Sequence, residues 1–443
     1  MTDDSLLSKH HHVLMPWSVQ ANQGEPLIVA GDGPYFIKAD GSRILDFSSG
    51  WAATQLGHGH PVVLEAIREQ LDKICWAPPN FAVDVRAEYA AALSDLSPWE
   101  EGCRVHFTTG GGEANDDAVR IARQLTGRNK VLAAYRSYHG NTQGAAALTG
   151  SLRRWASEPN LPGGVARFWA PHPYRSPFYT QDPAEEARRA LDHVDRVLMQ
   201  EGPENVAALI IEPVLGSEGV VIYPQGYLAG LRDRTSRHGI LLIFDEVVTG
   251  FGRVGEPFAA ARFGVHPDLL TFAKGSSTSY VPLGGVMVRE GIACEFDSRL
   301  FDAGHTHSGH PLAMAAGLGT LKALKSENLF KKAYVIEGWM KTELQGLALK
   351  HEIIGDVRGL GAYFAIELVK DRATMEPLVA WQAKDSQLTK AFYRDLLDDG
   401  LWLHGKYSIS VLAPALIIDQ AQIAEGMEKL DKALVKLTER LDV

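Results

Sequence analysis

Lys274 closes the apolar run DLLTFAK (268–274) and opens onto the soft turn GSSTSY (275–280), while Asp245 ends the upstream run ILLIFD. About thirty residues separate the two, enough for one βαβ crossover that sets both side chains at the carboxyl edge of a sheet, where open αβ sheets bind ligands. A lysine beside a buried carboxylate is what an enzyme needs to hold an aldehyde cofactor as a Schiff base. The acid keeps a pyridine nitrogen protonated and makes the ring an electron sink, and the lysine serves as covalent anchor and proton carrier. Taken alone, a strand-end aspartate is ordinarily a cap for the next segment; its pairing with Lys274 gives Asp245 its chemical meaning.

Three further segments join this edge. HFTTGGGEANDDAVRIAR puts Gly110, Gly111 and Gly112 between a strand and a helix. Without Cβ atoms, such a loop lets an anion reach free N–H groups at the helix start, and a phosphate fits there. The motif is neither a Walker loop nor a GxGxxG turn, and three glycines by themselves also make a plain tight turn. In YRSYHG (135–140), Tyr138 offers a face on which a planar cofactor stacks, with His139 beside it; a core tyrosine and a satisfied histidine are the plainer alternatives. GHTHSGHP (304–311) supplies Thr306 and Ser308, hydroxyls that ordinarily cap the following helix. His305, His307 and His310 there are read as no metal site, because the segment offers no nearby carboxylate and no helical HxxxH.

The elements that must position these residues alternate. Strand-like runs at 104–109, 130–135, 207–213, 240–247, 268–273 and 284–289 are separated by helical stretches at 113–127, 183–202, 227–239 and 257–264. This is the pattern of a largely parallel sheet covered by helices on both faces. Residues 24–50 read as hairpin strands around GDG and DGS. Past the helix at 311–325, the tail carries strands VRGLGAYFAIELV and YSISVLAPALII and helices at 329–350 and 420–441. The expected organisation is an N-terminal segment of a small domain (1–60), a large domain (61–325) and a C-terminal part of the small domain (326–443).

Composition narrows the function. A net charge of −10 repels polyanions and, with no basic patch in the sequence, disfavours nucleic acid. Cys75, Cys103 and Cys294 are an odd, scattered set without CxxC spacing, which points away from disulfides and structural zinc and toward a reducing, cytoplasmic setting. No apolar span has transmembrane length, and the acidic N-terminus lacks a secretory n-region. His10, His11 and His12 run directly into VLMPW and are read as ordinary N-terminal chain.

Together, TTGGGEAND, YRSYHG, LIIEPVLGSEGV, LIFDEVVTGFGRVGEPFA, LLTFAKG and THSGHP resemble the class III aminotransferases, from about residue 25 to about residue 425. The resemblance implies fold type I of the pyridoxal-phosphate-dependent transferases, an α/β architecture like aspartate aminotransferase, with pyridoxal 5′-phosphate as cofactor. It implies that Lys274 anchors the aldehyde and Asp245 pairs with the pyridine nitrogen. Val247 would pack on one ring face and Tyr138 on the other, with His139 adjacent. Gly111 and Gly112 would present amides to the phosphate, and Thr306 would reach the phosphate of a partner subunit. A homodimer with shared active sites, further pairing into tetramers being open, is therefore expected. Met15, Trp17 and Trp51 would line the substrate entrance.

The chain departs from the family pattern at two places. GGGEA replaces the common SGSEA and loses both hydroxyls, leaving the phosphate to backbone donors. Where relatives carry an arginine for a substrate carboxylate, this sequence has His404 and Val411, with Lys406 nearby as a point charge. A substrate acid would then be held by Lys406, His404 or an arginine elsewhere such as Arg86, or by backbone amides. The expected activity is a ping-pong aminotransferase moving an amino group from an amine, ω-amino acid or related donor to a 2-oxo acid such as pyruvate. A lyase, racemase or decarboxylase on the same scaffold is the alternative, and a non-catalytic binding protein would require loss of Lys274 or Asp245, both of which are present.

Overall fold

Turn signals shape the N-terminal segment into an antiparallel meander of β1 (Ile28–Asp32), β2 (Tyr35–Lys38) and β3 (Arg43–Asp46), with Gly33 and Gly41 at positive φ in the two turns. The computed structural model describes residues 9–20, 26–381, 383 and 386–441. Positions 24 and 25 of the expected hairpin, and residues 1–8, lie outside them.

The apolar runs of the middle chain form a seven-stranded sheet from β4 (Cys103–Thr108), β5 (Lys130–Ala134), β6 (Val165–Phe168), β7 (Val206–Ile211), β8 (Leu241–Asp245), β9 (Leu269–Phe272) and β10 (Gly284–Arg289). Their order is β4-β10-β9-β8-β7-β5-β6, parallel throughout except β10, which runs antiparallel to both neighbours. Every residue of the interior strand β7 is buried, as expected of a strand covered on both faces.

Strand periodicity sorts the core into two layers. Val131, Ile210, Ile243, Leu269 and Val286 meet helix Gly111–Thr126 through Ala114, Ala118, Ile121 and Ala122. Their alternates Leu132, Leu209, Leu242, Phe244 and Leu270 face the other way, into a core with helices Pro183–Glu201 and Tyr227–His238. Each large apolar side chain so buried contributes roughly 1.5–3 kcal/mol. Helix ends follow local chemistry: Asp182 accepts from the Ala184 and Glu185 amides ahead of Pro183, and Gly127 ends helix 111–126 at φ 69.

The tail forms a third sheet from β11 (Ile354–Leu360), β12 (Tyr363–Asp371), β13 (Glu376–Pro377), β15 (His404–Lys406) and β16 (Ile409–Leu412), while β14 (Leu401–Trp402) adds in parallel to β3. The N-terminal strands and this late strand thus share one sheet. VRGLGAYFAIELV is not one strand: Gly361, at φ +60, turns it into the β11–β12 hairpin, and a Cβ there would stand 2.4 Å from the Arg253 carbonyl. YSISVLAPALII is a strand only over Ile409–Leu412. Pro414 has no N–H for a ladder. The flanking amides bond elsewhere, Ala413 to the Phe47 carbonyl and Leu416 to that of Gln55. Helices Pro61–Lys73, Asp84–Asp95 and Gln387–Asp398, absent from the sequence reading, complete the chain. Among the described residues, no helix is long and apolar enough to cross a membrane.

Candidate active site

The parallel register of β8 and β9 puts Asp245 opposite Thr271, so the acid and Lys274, two residues past the end of β9, emerge at one sheet edge. Above that edge lies a cavity of about 710 Å³, lined by residues at the edge of the seven-stranded sheet, of the N-terminal segment and of the tail. Lys274 opens a short 3₁₀ turn, Lys274–Ser277, in the left-handed region (φ 41), and its Nζ donates to the Trp51 carbonyl at 3.0 Å. Burial pushes its ammonium down to about 8, partly offset by the nearby Asp245 and Glu212 carboxyls.

Asp245 is held from three sides. Asn115 Nδ2, from the first turns of helix 111–126, donates to Oδ2 at 2.8 Å, and His139 Nδ1 bonds the same oxygen at 2.8 Å. The Val247 amide reaches Oδ1 at 3.1 Å, and among the described residues that oxygen takes no other bond. Asn115 is itself fixed, donating to the His139 carbonyl and accepting from the Thr271 hydroxyl. Buried Glu212, at the end of β7, accepts from the Tyr138 and Gly216 amides, and burial raises its carboxyl to about 7.

Gly111 and Gly112 face the cavity at the start of their helix, whose Ncap, Gly110, supplies no side-chain cap. A Cβ on Gly111 would come within 2.9 Å of Val247 Cγ2, and one on Gly140 within 2.6 Å of the Gly112 Cα. The loop, the Tyr138 segment and Val247 therefore touch only because side chains are missing.

Tyr138, His139, Val247, Trp17, Trp51, His404 and Lys406 all line the cavity with Lys274, Asp245 and the two glycines. Thr306 does not. It is exposed on the 301–310 loop, its carbonyl accepting from Trp76 Nε1 at 3.3 Å. Met15 is outside the lining, half-buried, with its amide on Gln20. His404 enters from β15, edge-on to Trp51 at 6.1 Å between ring centroids. Burial, with Arg153, Lys274 and Lys406 nearby, pushes its imidazole down to about 4. Lys406 Nζ stands 3.5 Å from Glu218 Oε1.

Two sequence expectations are corrected. Arg86 is no candidate for a substrate acid: its guanidinium is spent on the carbonyls of Gly309, Pro79, Phe81 and Ala77, pinning segment 77–81 to the 309 turn, and it does not line the cavity. The histidine-rich segment does meet a carboxylate, because helix 111–126 carries Asp117 to 2.7 Å from His305 Nε2 and 3.1 Å from His106 Nε2. These three could hold a metal ion, and they already satisfy one another as a hydrogen-bonded triad. Asn115, Glu212 and Arg153 belong to the site and were missed. The first two stand inside the quoted motifs TTGGGEAND and LIIEPVLGSEGV; Arg153, on an irregular 3₁₀ turn, carries no pattern to betray it.

A family model described as "Aminotransferase class-III" matches residues 18–434. An omega-aminotransferase of Caulobacter vibrioides is 34% identical over 92% of this chain and 93% of its own length. A putrescine–pyruvate aminotransferase of Pseudomonas aeruginosa is 31% identical over 97% and 95%. Among solved structures, the taurine:2-oxoglutarate aminotransferase of Bifidobacterium kashiwanohense, in complex with PLP and glutamate, superposes with a TM-score of 0.95 at 35% identity, covering 99% of each chain.

Proposed function

The chain belongs to the class III aminotransferases, enzymes that depend on pyridoxal phosphate and exchange an amino group between amines and oxo acids, and we propose that Lys274 and Asp245 are its catalytic pair. The observation that carries this reading is their delivery by adjacent parallel strands to one edge of one cavity. Pyridoxal phosphate, when bound, supplies an electrophilic aldehyde carbon and a ring that draws electrons from the bond being broken.

The residues fit that group. Lys274 Nζ would hold the aldehyde end, and the downward push of burial makes it a usable nucleophile near neutral pH. Asp245 Oδ1, with a lone pair left over, would keep the ring nitrogen protonated, while Asn115 and His139 lock the carboxylate in place. Tyr138 and Val247 would take the two ring faces, with His139 beside them. The amides of Gly111 and Gly112, at an uncapped helix start, would take the phosphate. Lys274 Nζ would also move the proton at the substrate carbon, with the Trp51 carbonyl, which accepts from it at 3.0 Å, helping to aim it.

The donor is an amine, an ω-amino acid or an aminosulfonate, and the acceptor pyruvate or another 2-oxo acid; relatives named for omega-amino, putrescine and taurine transfer support this range. Trp17, Trp51, His404 and Lys406 would shape the substrate end. A homodimer completes the site: Thr306 sits on a surface loop tied through Arg86 and Trp76 to a segment whose Ile74, Trp76 and Phe81 are exposed, an apolar face suited to a second copy, across which Thr306 would reach the partner's phosphate. Three free cysteines suit a reducing cytoplasm.

The test is Lys274→Ala, which should lose both turnover and the cofactor's borohydride-stable attachment to the chain. Retained activity would refute the assignment, and sustained multiple turnover by wild type without any oxo acid would replace transfer with racemisation or elimination.

A further inference from the structure

The catalytic reading leaves His106, Asp117 and His305 unused, and none of the three lines the cavity. They arrive from three segments: His106 from β4, Asp117 from the second turn of helix 111–126, and His305 from the loop ahead of helix Pro311–Ser326. Their ligand atoms, two imidazole Nε2 and a carboxylate oxygen, all lie within 4.8 Å of one another. Both imidazoles aim at the same atom, Asp117 Oδ2, His305 from 2.7 Å and His106 from 3.1 Å. Burial raises the Asp117 carboxyl, and the hydrogen bonds from His106 and His305 more than offset it, so the group sits below its ordinary range and is ionised. An ionised carboxylate only accepts, so each Nε2 carries a proton toward that oxygen.

Those two protons stand where a cation would fit. Around a four-coordinate zinc at roughly 2.0–2.1 Å, neighbouring ligand atoms stand about 3.3 Å apart, so both separations need to open by less than about an ångström. On metal entry each imidazole would give up its Nε2 proton and carry one on Nδ1 instead, exchanged through solvent. Asp117 Oδ1 keeps its ion pair with Arg120 Nε at 3.5 Å, an outer partner that orients the ligating carboxylate. Phe301 lies edge-on to His106 at 4.9 Å between ring centroids, and Phe296 edge-on to Phe301 at 5.1 Å, which gives the cluster an apolar wall. His305 is about a third exposed, leaving a way in for the ion and for water as a fourth ligand. Two imidazoles and one carboxylate suit zinc and its neighbours in the transition series rather than magnesium or calcium, which take oxygen ligands.

We propose that His106, Asp117 and His305 form a site for a divalent transition ion of the zinc class, and that the ion staples the 301–310 loop to helix 111–126. Neither half of this depends on the catalytic roles of Lys274 and Asp245. Thr306 follows His305 directly, so the staple would fix the loop that carries it.

The test uses holoenzyme stripped of metal by a chelator and dialysed, in a background of His10→Ala, His11→Ala and His12→Ala, which removes the N-terminal histidines as competing ligands. Equilibrium dialysis against Zn²⁺ should give about one ion per chain, undisturbed by an excess of Mg²⁺. Asp117→Asn and His305→Gln should each weaken zinc binding by at least about 10- to 100-fold, the scale on which even an outer partner is felt. Circular dichroism checks both folds; should Asp117→Asn fail to fold, His305→Gln, on the loop, carries the same test. Zinc should also slow hydrogen exchange of the 301–310 amides, and should not do so in His305→Gln. No zinc binding, binding indifferent to both substitutions, or loop exchange that ignores zinc would overturn the proposal and leave the three residues a hydrogen-bonded triad only.

Discussion

At the sheet edge, Asp245 is gripped by Asn115, His139 and the Val247 amide, and Asn115 in turn by Thr271 and the His139 carbonyl. At the mouth, Arg153 is held only by the faces of Tyr138 and Trp17, and Trp17 itself is exposed. The first region is over-determined by short, directional bonds on rigid strands. The second is held by broad, non-directional contacts on irregular turns. Electrostatic preorganisation demands the first arrangement, because a donor misplaced by an ångström loses most of its catalytic value. Admission of substrate tolerates the second. Backbone strain gathers along the same cavity: Trp17, Trp51, Ala52, Arg136, Lys274 and Tyr407 all sit at positive φ, a cost that persists only where surrounding packing enforces it.

Breaking the floor should therefore cost far more than breaking the mouth. Lys274→Ala is expected to lower kcat by at least about 10⁴-fold, since anchor and proton carrier go together. Asp245→Asn should fold normally and lose about 10²- to 10³-fold in kcat, as a neutral amide no longer holds a proton on the ring nitrogen; circular dichroism separates this from unfolding. Gly111→Ala forces a methyl against Val247 and should cost about 1–3 kcal/mol in thermal stability, with weaker cofactor affinity by equilibrium dialysis. His404→Gln is the mildest. With its imidazole already neutral above about 4, it contributes no charge, so the KM of acid-bearing donors should shift less than about threefold and stay flat between about pH 6 and 9 on its account.

Lys274 adds a pH signature. Its ammonium is lowered from 10.5 to about 8 by burial. Between those values the unfolded chain binds the extra proton, so cofactor-free protein should gain stability as pH rises from about 8 to 10.5, and not below. Urea midpoints measured across that range check the sign: wild type minus Lys274→Met, which removes this titration alone, should rise with pH.

The difference between the regions also explains what sequence could reveal. Lys274, Asp245, Gly111, Gly112 and Tyr138 stand where strands end, and strand ends are marked by apolar runs that stop; the alternation of those runs with helical stretches pointed to a parallel sheet and hence to a common edge. Asn115 and Glu212 lay inside recognised motifs, but their roles depend on hydrogen bonds to segments far apart in the chain, Asn115 to Asp245 and Thr271 and Glu212 to the Tyr138 amide. Arg153 was invisible because its position comes from ring stacking across 136 residues to Trp17, which no local pattern encodes. Asp117 was likewise hidden from His305 until helix 111–126 docked on the sheet. The tail misled for a local reason: Gly361 and Pro414 interrupt runs that are otherwise strand-like.

The most direct measurement is borohydride reduction of the holoenzyme followed by peptide mass mapping. The expected result is a pyridoxyl adduct on the peptide containing Lys274, absent from Lys274→Ala. An adduct on another lysine, or none from a protein that nevertheless transfers amino groups, would contradict the assignment of this sheet edge as the reacting centre.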